Sequence, residues 1–242
     1  KLQGSMITDR MRRAMDAFNC GKIREANAIL GEAEMDRVLV YEDFKNSNEL
    51  TEQKRQNVFA VIEEELLHIS TIMADESIEI QERVEKTKKL YSQVDVWAKT
   101  SVYDKEKYVD LLSGYGAFLT QFACYDEAKE ILERAISIAK EIYGEEHACM
   151  VWLYNDISLV LSSIGKPEQS LEYLQKALNI GRNVLGEDKM FNTYNNMAIV
   201  YGFLGEHRKA LDYYEIALEK CIKVSGKEKE SVLIIYSSII NV

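Results

Sequence analysis

The side chains in these 242 residues that could do chemistry are three histidines, four cysteines and a pair of glutamates beside one of the histidines. His68, His147 and His207 stand far apart, and none has a partner at a metal-ligating spacing such as His-Glu-x-x-His. Glu64 and Glu65 lie on the turn before His68, where they read as a solvated helix face. Cys20, Cys124, Cys149 and Cys221 form no Cys-x-x-Cys pair, so they are expected to be small buried apolar residues and not a metal site. A glycine-rich phosphate loop, a Gly-x-Ser-x-Gly elbow and a lysine or serine in a nucleophile context are all missing from the sequence. Gly114 and Gly116 flank Tyr115 in a helical pattern and mark close packing, not a phosphate cradle. The expectation is a chain that is not an enzyme and holds no cofactor and no metal.

Composition bounds what must position any such residues. The chain carries 30 Lys and Arg against 40 Asp and Glu, a net charge of −10, and is 47% hydrophobic with a single proline. That apolar fraction excludes intrinsic disorder. The acidic balance removes the attraction that clustered basic residues give for a phosphate backbone, so nucleic acid is excluded as a partner. No apolar run approaches the ~18 residues of a membrane span, and no membrane partner is expected. Residues 1–6 (Lys1 to Met6) read as a cloning or protease scar ending in a start methionine, with Asp9, Arg10, Arg12 and Arg13 following too soon for a signal-peptide core. Four unpaired cysteines fit a reducing cytoplasm.

The elements themselves are announced by repetition. Tyr125-Asp-Glu-Ala-Lys-Glu-Ile-Leu-Glu-Arg-Ala135, Pro167-Glu-Gln-Ser-Leu-Glu-Tyr-Leu-Gln-Lys-Ala177 and His207-Arg-Lys-Ala-Leu-Asp-Tyr-Tyr-Glu-Ile-Ala217 follow one another at 42 and 40 residues. Small residues Ala128, Ser170 and Ala210 precede Ala135, Ala177 and Ala217 by seven. An earlier helix in each copy carries Leu112, Tyr115, Gly116 and Leu119, then Tyr154, Ile157, Ser158 and Leu161, then Tyr194, Met197, Ala198 and Tyr201. These offsets trace one helix face with a small residue where a neighbour approaches. A turn glycine follows at Gly165 and Gly205, with Ala123 in that place in the first copy. Gly144, Gly186 and Gly226 close the units and fit left-handed helix C-caps.

This small–aromatic–small pattern resembles the tetratricopeptide repeat, in the 40–42-residue form found in kinesin light chains and bacterial peptide-responsive regulators. Tyr194-Asn-Asn-Met-Ala198, then Leu204-Gly205 and Ala210-Leu211, is the segment most like that family. The resemblance implies an all-α fold, a right-handed superhelical solenoid of antiparallel helix pairs. Residues 108–226 hold three repeats, and 227–242 is expected to be the first helix of an incomplete further repeat, with Tyr236 placed 42 residues after Tyr194. Residues 7–107 read as a degenerate repeat over 7–44, a polar loop Lys45-Asn-Ser-Asn-Glu49 and two long helices near 50–74 and 76–100, the second packing Val84, Leu90, Tyr91, Val94 and Trp97. The expectation is one continuous array.

In such arrays the first helix of each repeat lines a concave groove. The resemblance maps that wall onto Asp110, Ser113, Thr120 and Gln121; then Trp152, Asn155, Asp156, Ser162 and Ser163; then Asn192, Asn195, Asn196 and Phe203; and in the partial copy Ser237, Ser238 and Asn241. A carboxamide donates and accepts at once, so rows of Asn and Gln can grip a peptide backbone, and Trp152 and Phe203 would serve as apolar anchors. The wall has no Lys or Arg and contains Asp110 and Asp156, which favours a neutral or basic peptide over an acidic one.

The leading expectation is a non-catalytic, cytoplasmic, bacterial scaffold for protein–protein or peptide interaction. A second is a peptide-responsive regulator resembling bacterial response-regulator aspartate phosphatases, which use a glutamine of an N-terminal bundle; Gln53, Gln56 and Gln81 lie in that stretch, and no motif aligns any of them. A third is the sensor part of a larger ATPase or effector. Val232-Leu-Ile-Ile-Tyr-Ser-Ser-Ile-Ile-Asn-Val242 is very apolar for a terminal helix. Two explanations stand open: a cut from a longer protein, or self-association through residues 231–242.

Overall fold

The structure, a computed structural model, describes residues 2–47, 51–101, 103–225 and 235. The chain divides into two compact units, Lys1–Asp104 and Lys105–Val242, where one continuous array was expected. The described residues contain helices and no strand. Gly226, Tyr236 and the terminal stretch proposed for self-association lie outside them.

The first unit holds α1 (Leu2–Asn19), α2 (Ile23–Gly31), α3 (Glu34–Lys45), α4 (Glu52–Ala74) and α5 (Ile80–Thr100). The scar assigned to residues 1–6 overlaps the start of α1. Thr51 caps α4 by accepting from the Lys54 amide. The two long helices fall where expected, with Leu90, Val94 and Trp97 of α5 buried and Val84 and Tyr91 half-buried. The stretch 7–44 differs from a simple pair: the second helix stops at Gly31 and α3 restarts at Glu34. Arg37 braces the break, because its Nη1 donates at 2.8 Å to the Leu30 carbonyl, a helix-end acceptor that the Ala33 amide also meets at 3.3 Å.

Glu64 and Glu65 correct the reading of a solvated face: both are fully buried. Arg10 of α1 forks onto Glu64 at 2.5 and 3.1 Å, and Arg37 of α3 lies 2.6 Å from Glu65 and 3.1 Å from His68 Nδ1. Arg37 itself is 0% exposed. Burial pulls its guanidinium down against the opposing pull of Glu65 and Glu64, while the Glu64 bond holds Arg10 up. Three helices are thus tied through paired charges, the condition under which buried ions persist.

The second unit holds α6 (Lys105–Gln121), α7 (Tyr125–Tyr143), α8 (Ala148–Ser163), α9 (Pro167–Val184), a 3-10 turn (Glu187–Met190), α10 (Phe191–Phe203) and α11 (His207–Ser225). Each antiparallel pair interlocks where the small residues stand, since Ala128, Ala135, Ser170, Ala177, Ala210 and Ala217 are all 0% exposed. Ser170 keeps its hydroxyl satisfied there by donating to the Ser158 carbonyl of α8 at 2.8 Å. Gly116 is the other half of this contact in the first pair, where a Cβ would stand 2.5 Å from Leu132 Cδ2. Pro167 starts α9 at a position whose amide has no helical partner in any case.

The turns within pairs are the same structure repeated. Cys124, Lys166 and Glu206 amides return to the Leu119, Leu161 and Tyr201 carbonyls, and the residue before each has φ of 57°, 75° and 74°. That residue is Gly165 or Gly205 in two copies and Ala123 in the first, the one non-glycine at positive φ among the described residues. The α1–α2 turn follows the same pattern, with Lys22 returning to Ala17 and Gly21 at φ 73°. Gly144 and Gly186 also have positive φ, but ψ of 177° and 149° places them in the extended mirror region that only glycine enters readily, not in a left-handed cap.

Candidate functional site

Within the second unit the first helices α6, α8 and α10 touch in succession, while α7, α9 and α11 share no contact of comparable extent among the described residues. The first helices therefore form an inner layer and the second helices a splayed outer one. The inner layer is where the mapped wall falls.

Much of that wall is occupied with itself. Ser113 donates to Asp156 at 3.3 Å, and Asn196 donates to Asn155 Oδ1 at 2.9 Å, so each first helix is bonded to the next. Asn155 also donates to Thr193 at 3.0 Å and to the Val151 carbonyl at 2.7 Å. Both asparagines are buried, at 7% and 9% exposure, so they are rungs between repeats and not the open amide row that the wall mapping implied. Thr120, Ser162 and Ser163 hydroxyls donate back to carbonyls one turn earlier in their own helices. Asn195, one repeat on from Asn155, is half-buried, and its Oδ1 accepts no bond. Ser237, Ser238 and Asn241 lie outside the described residues.

What stays open is a narrower stripe. Asp110, Trp152 and Asn192 occupy one repeat position near the start of each first helix, and all three are exposed. Gln121, Ser163 and Phe203 occupy another near its end and are exposed too. Trp152 is 47% and Phe203 63% exposed, a large apolar surface to leave in water. Between these two rows the same helix face carries Gly114, Ala117, Leu159 and Ile199, which the wall mapping omitted. Their spacing of three and four from the mapped residues was the signal for them. The stripe thus has an aliphatic floor with an aromatic at opposite ends. Asp156 stands on it against α6. Burial pushes its carboxyl up to about 6, with the Ser113 bond pulling the other way.

The remaining candidates fall elsewhere. Cys221 is buried, but Cys20 is exposed and Cys124 and Cys149 are intermediate, so three of the four cysteines depart from the buried reading. Gln53 and Gln56 are exposed and bonded within α4 to Asn57 and Glu52, and Gln81 is exposed on α5. No helix is long and apolar enough to cross a membrane among the described residues.

Comparison with known proteins places this geometry. A family profile described as Tetratricopeptide repeat matches residues 108–183 and 159–223. A curated relative, a clustered mitochondria protein homolog of Candida albicans, is 28% identical over 101 residues, 41% of this chain and 7% of that protein. Among solved structures, nearly identical TPR-like repeats of a Podosopora anserina protein assigned to the kinesin light chains superpose with a TM-score of 0.65 at 15% identity, covering 92% of this chain and 98% of theirs. BtubC (BKLC) from P. vanneervenii gives 0.61 at 17% identity over 86% and 84%. The apo form of RapI gives 0.54 at 15% identity over 98% and 72%.

Proposed function

This chain is a tetratricopeptide repeat protein whose fold is of the kinesin-light-chain type, and from that premise we propose that its inner wall binds an extended peptide or protein segment, as a non-catalytic scaffold in the cytoplasm. The observation that carries the reading is the open stripe, in which Trp152 and Phe203 project from α8 and α10 beside an aliphatic floor. Aromatics presented this way supply most of the energy in peptide recognition. The favoured ligand is neutral or basic. Asp156 is held half-buried without a cation, and a Lys or Arg of a ligand would relieve that cost.

Selection from a random dodecapeptide library tests this. Peptides enriched on the wild type should be apolar and basic, and should lose at least tenfold in affinity for a Trp152→Ala/Phe203→Ala variant of unchanged helicity. Enrichment indifferent to that variant would remove the stripe from the site. Because Asp156 must ionise to meet a cation, binding of a basic peptide should tighten as pH rises through about 6.

A second reading, the peptide-responsive regulator, draws support from the division into two units. In that reading the first unit acts on a partner protein while the repeats take the peptide. Exchange of exposed Gln53, Gln56 and Gln81 for alanine would leave peptide binding intact and abolish the partner's response.

A further inference from the structure

The first unit contains a cavity of about 440 Å³ between α2, α4 and α5, remote in chemistry from the peptide stripe. Its floor is apolar, built on Ile72 and Leu90, which belong to a buried cluster with Ile69. Its rim is cationic: Arg24, Lys86 and Lys89 face it against a single carboxylate, Glu34. Lys89 reaches Glu34 at 3.5 Å and Lys86 is paired with Glu82 at 2.7 Å, both on the surface, where such pairs exchange readily with another anion.

The decisive group is His68, 6% exposed and part of the cavity wall. Arg37 approaches His68 Nδ1 at 3.1 Å, and a guanidinium can only donate. Glu65 Oε2 lies 3.4 Å from the same Nδ1, so that nitrogen is engaged by the buried pair and Nε2 is the ring nitrogen left to the cavity. Nε2 lies on the Gly31 side of the ring, 3.9 Å from where a Cβ on Gly31 would stand, and Gly31 lines the cavity mouth. The buried ion network thus holds Nδ1 and leaves Nε2 on the wall of a positively rimmed apolar cavity.

We propose that this cavity binds an aliphatic carboxylate, its head group on His68 Nε2 and the Arg24, Lys86 and Lys89 rim and its chain on Ile72 and Leu90. The same chemistry is presented by a free medium-chain carboxylate or by the C-terminal leucine of a peptide. The size is adequate for either, since small-molecule pockets begin at roughly 300 Å³.

The test uses the full chain labelled with 15N-histidine. Octanoate should shift the His68 Nε2 resonance saturably, and octylamine should not. Lys86→Glu/Lys89→Glu changes two exposed side chains and should weaken octanoate at least tenfold, while Gly31→Leu should plug the mouth and abolish binding. N-acetylated Ala-Leu-Leu with a free carboxylate, run beside its amide, separates the sources: whichever of octanoate and the peptide acid binds more tightly identifies the natural class. No saturable shift with either acid, equal binding of octylamine, or an unchanged affinity in the lysine double variant would overturn the proposal.

Discussion

The two units tie their helices together by opposite chemistry. In the first, full charges are drawn into the core: half-buried Arg10 onto buried Glu64, and buried Arg37 onto buried Glu65 beside His68. In the second, the bonds between successive inner helices are hydroxyl-to-carboxyl, amide-to-amide and amide-to-hydroxyl, and the ion pairs lie toward the surface. The difference follows from repetition. Equivalent positions in stacked repeats recur one helix spacing apart, about 8–10 Å. A charge at every rung would face its own copy across a poorly screened interior. An amide avoids this because it donates and accepts, so the same residue type serves on both sides of a rung. A unit that does not tile is free to use a one-off arrangement of ions.

Removing one partner should break the first unit most severely. Arg37→Ala leaves Glu65 buried without its cation, and should cost about 3–5 kcal/mol by urea unfolding, with loss of the first unit's helicity before the second's. The second unit should respond to pH through Asp156. Its folded pKa of about 6 lies above the usual carboxylate value of 3.8, so the contribution is present below pH 3.8 and lost as pH rises through 6. The fall amounts to roughly 3 kcal/mol. Asp156→Asn should flatten the profile, read by thermal melts between pH 4 and 7. A rung should be worth less than a buried ion pair: Asn155→Ala strands the Asn196 amide and should cost about 1–3 kcal/mol. The smallest effect is a gain. Ala123→Gly relieves a left-handed alanine and should stabilise by up to about 1 kcal/mol, because the entropy of an added glycine offsets part of the relief. Gly165→Ala should move the melting temperature the other way.

What could be read without coordinates follows the range of each interaction. The helix pairs of the second unit were legible because small residues recur at fixed offsets, and Ala128, Ala177 and Ala217 indeed pack at full burial. The long α4 and α5 were legible from apolar periodicity. Glu64 was not, because its partner Arg10 lies 54 residues away. A clue existed: Glu65 sits on the same face as Val61 and Ile69, one turn from each, and both are buried. Asn155 reads as a ligand-gripping amide in the sequence because its partner lies 41 residues on, in the next repeat. Family resemblance located the wall, but only the side-chain bonds separate its rungs from its open stripe.

The rungs have a mechanical meaning. They join α6 to α8 and α8 to α10, while the outer helices share no comparable contact among the described residues. Outer helices are instead seated on the inner helix of the following repeat, α7 on α8 and α9 on α10. The stack is thus braced like a truss, with rungs along the inner wall and diagonals from the outer layer. Strain applied at one repeat is passed to the next by both, which keeps the spacing between Trp152 and Phe203 nearly fixed.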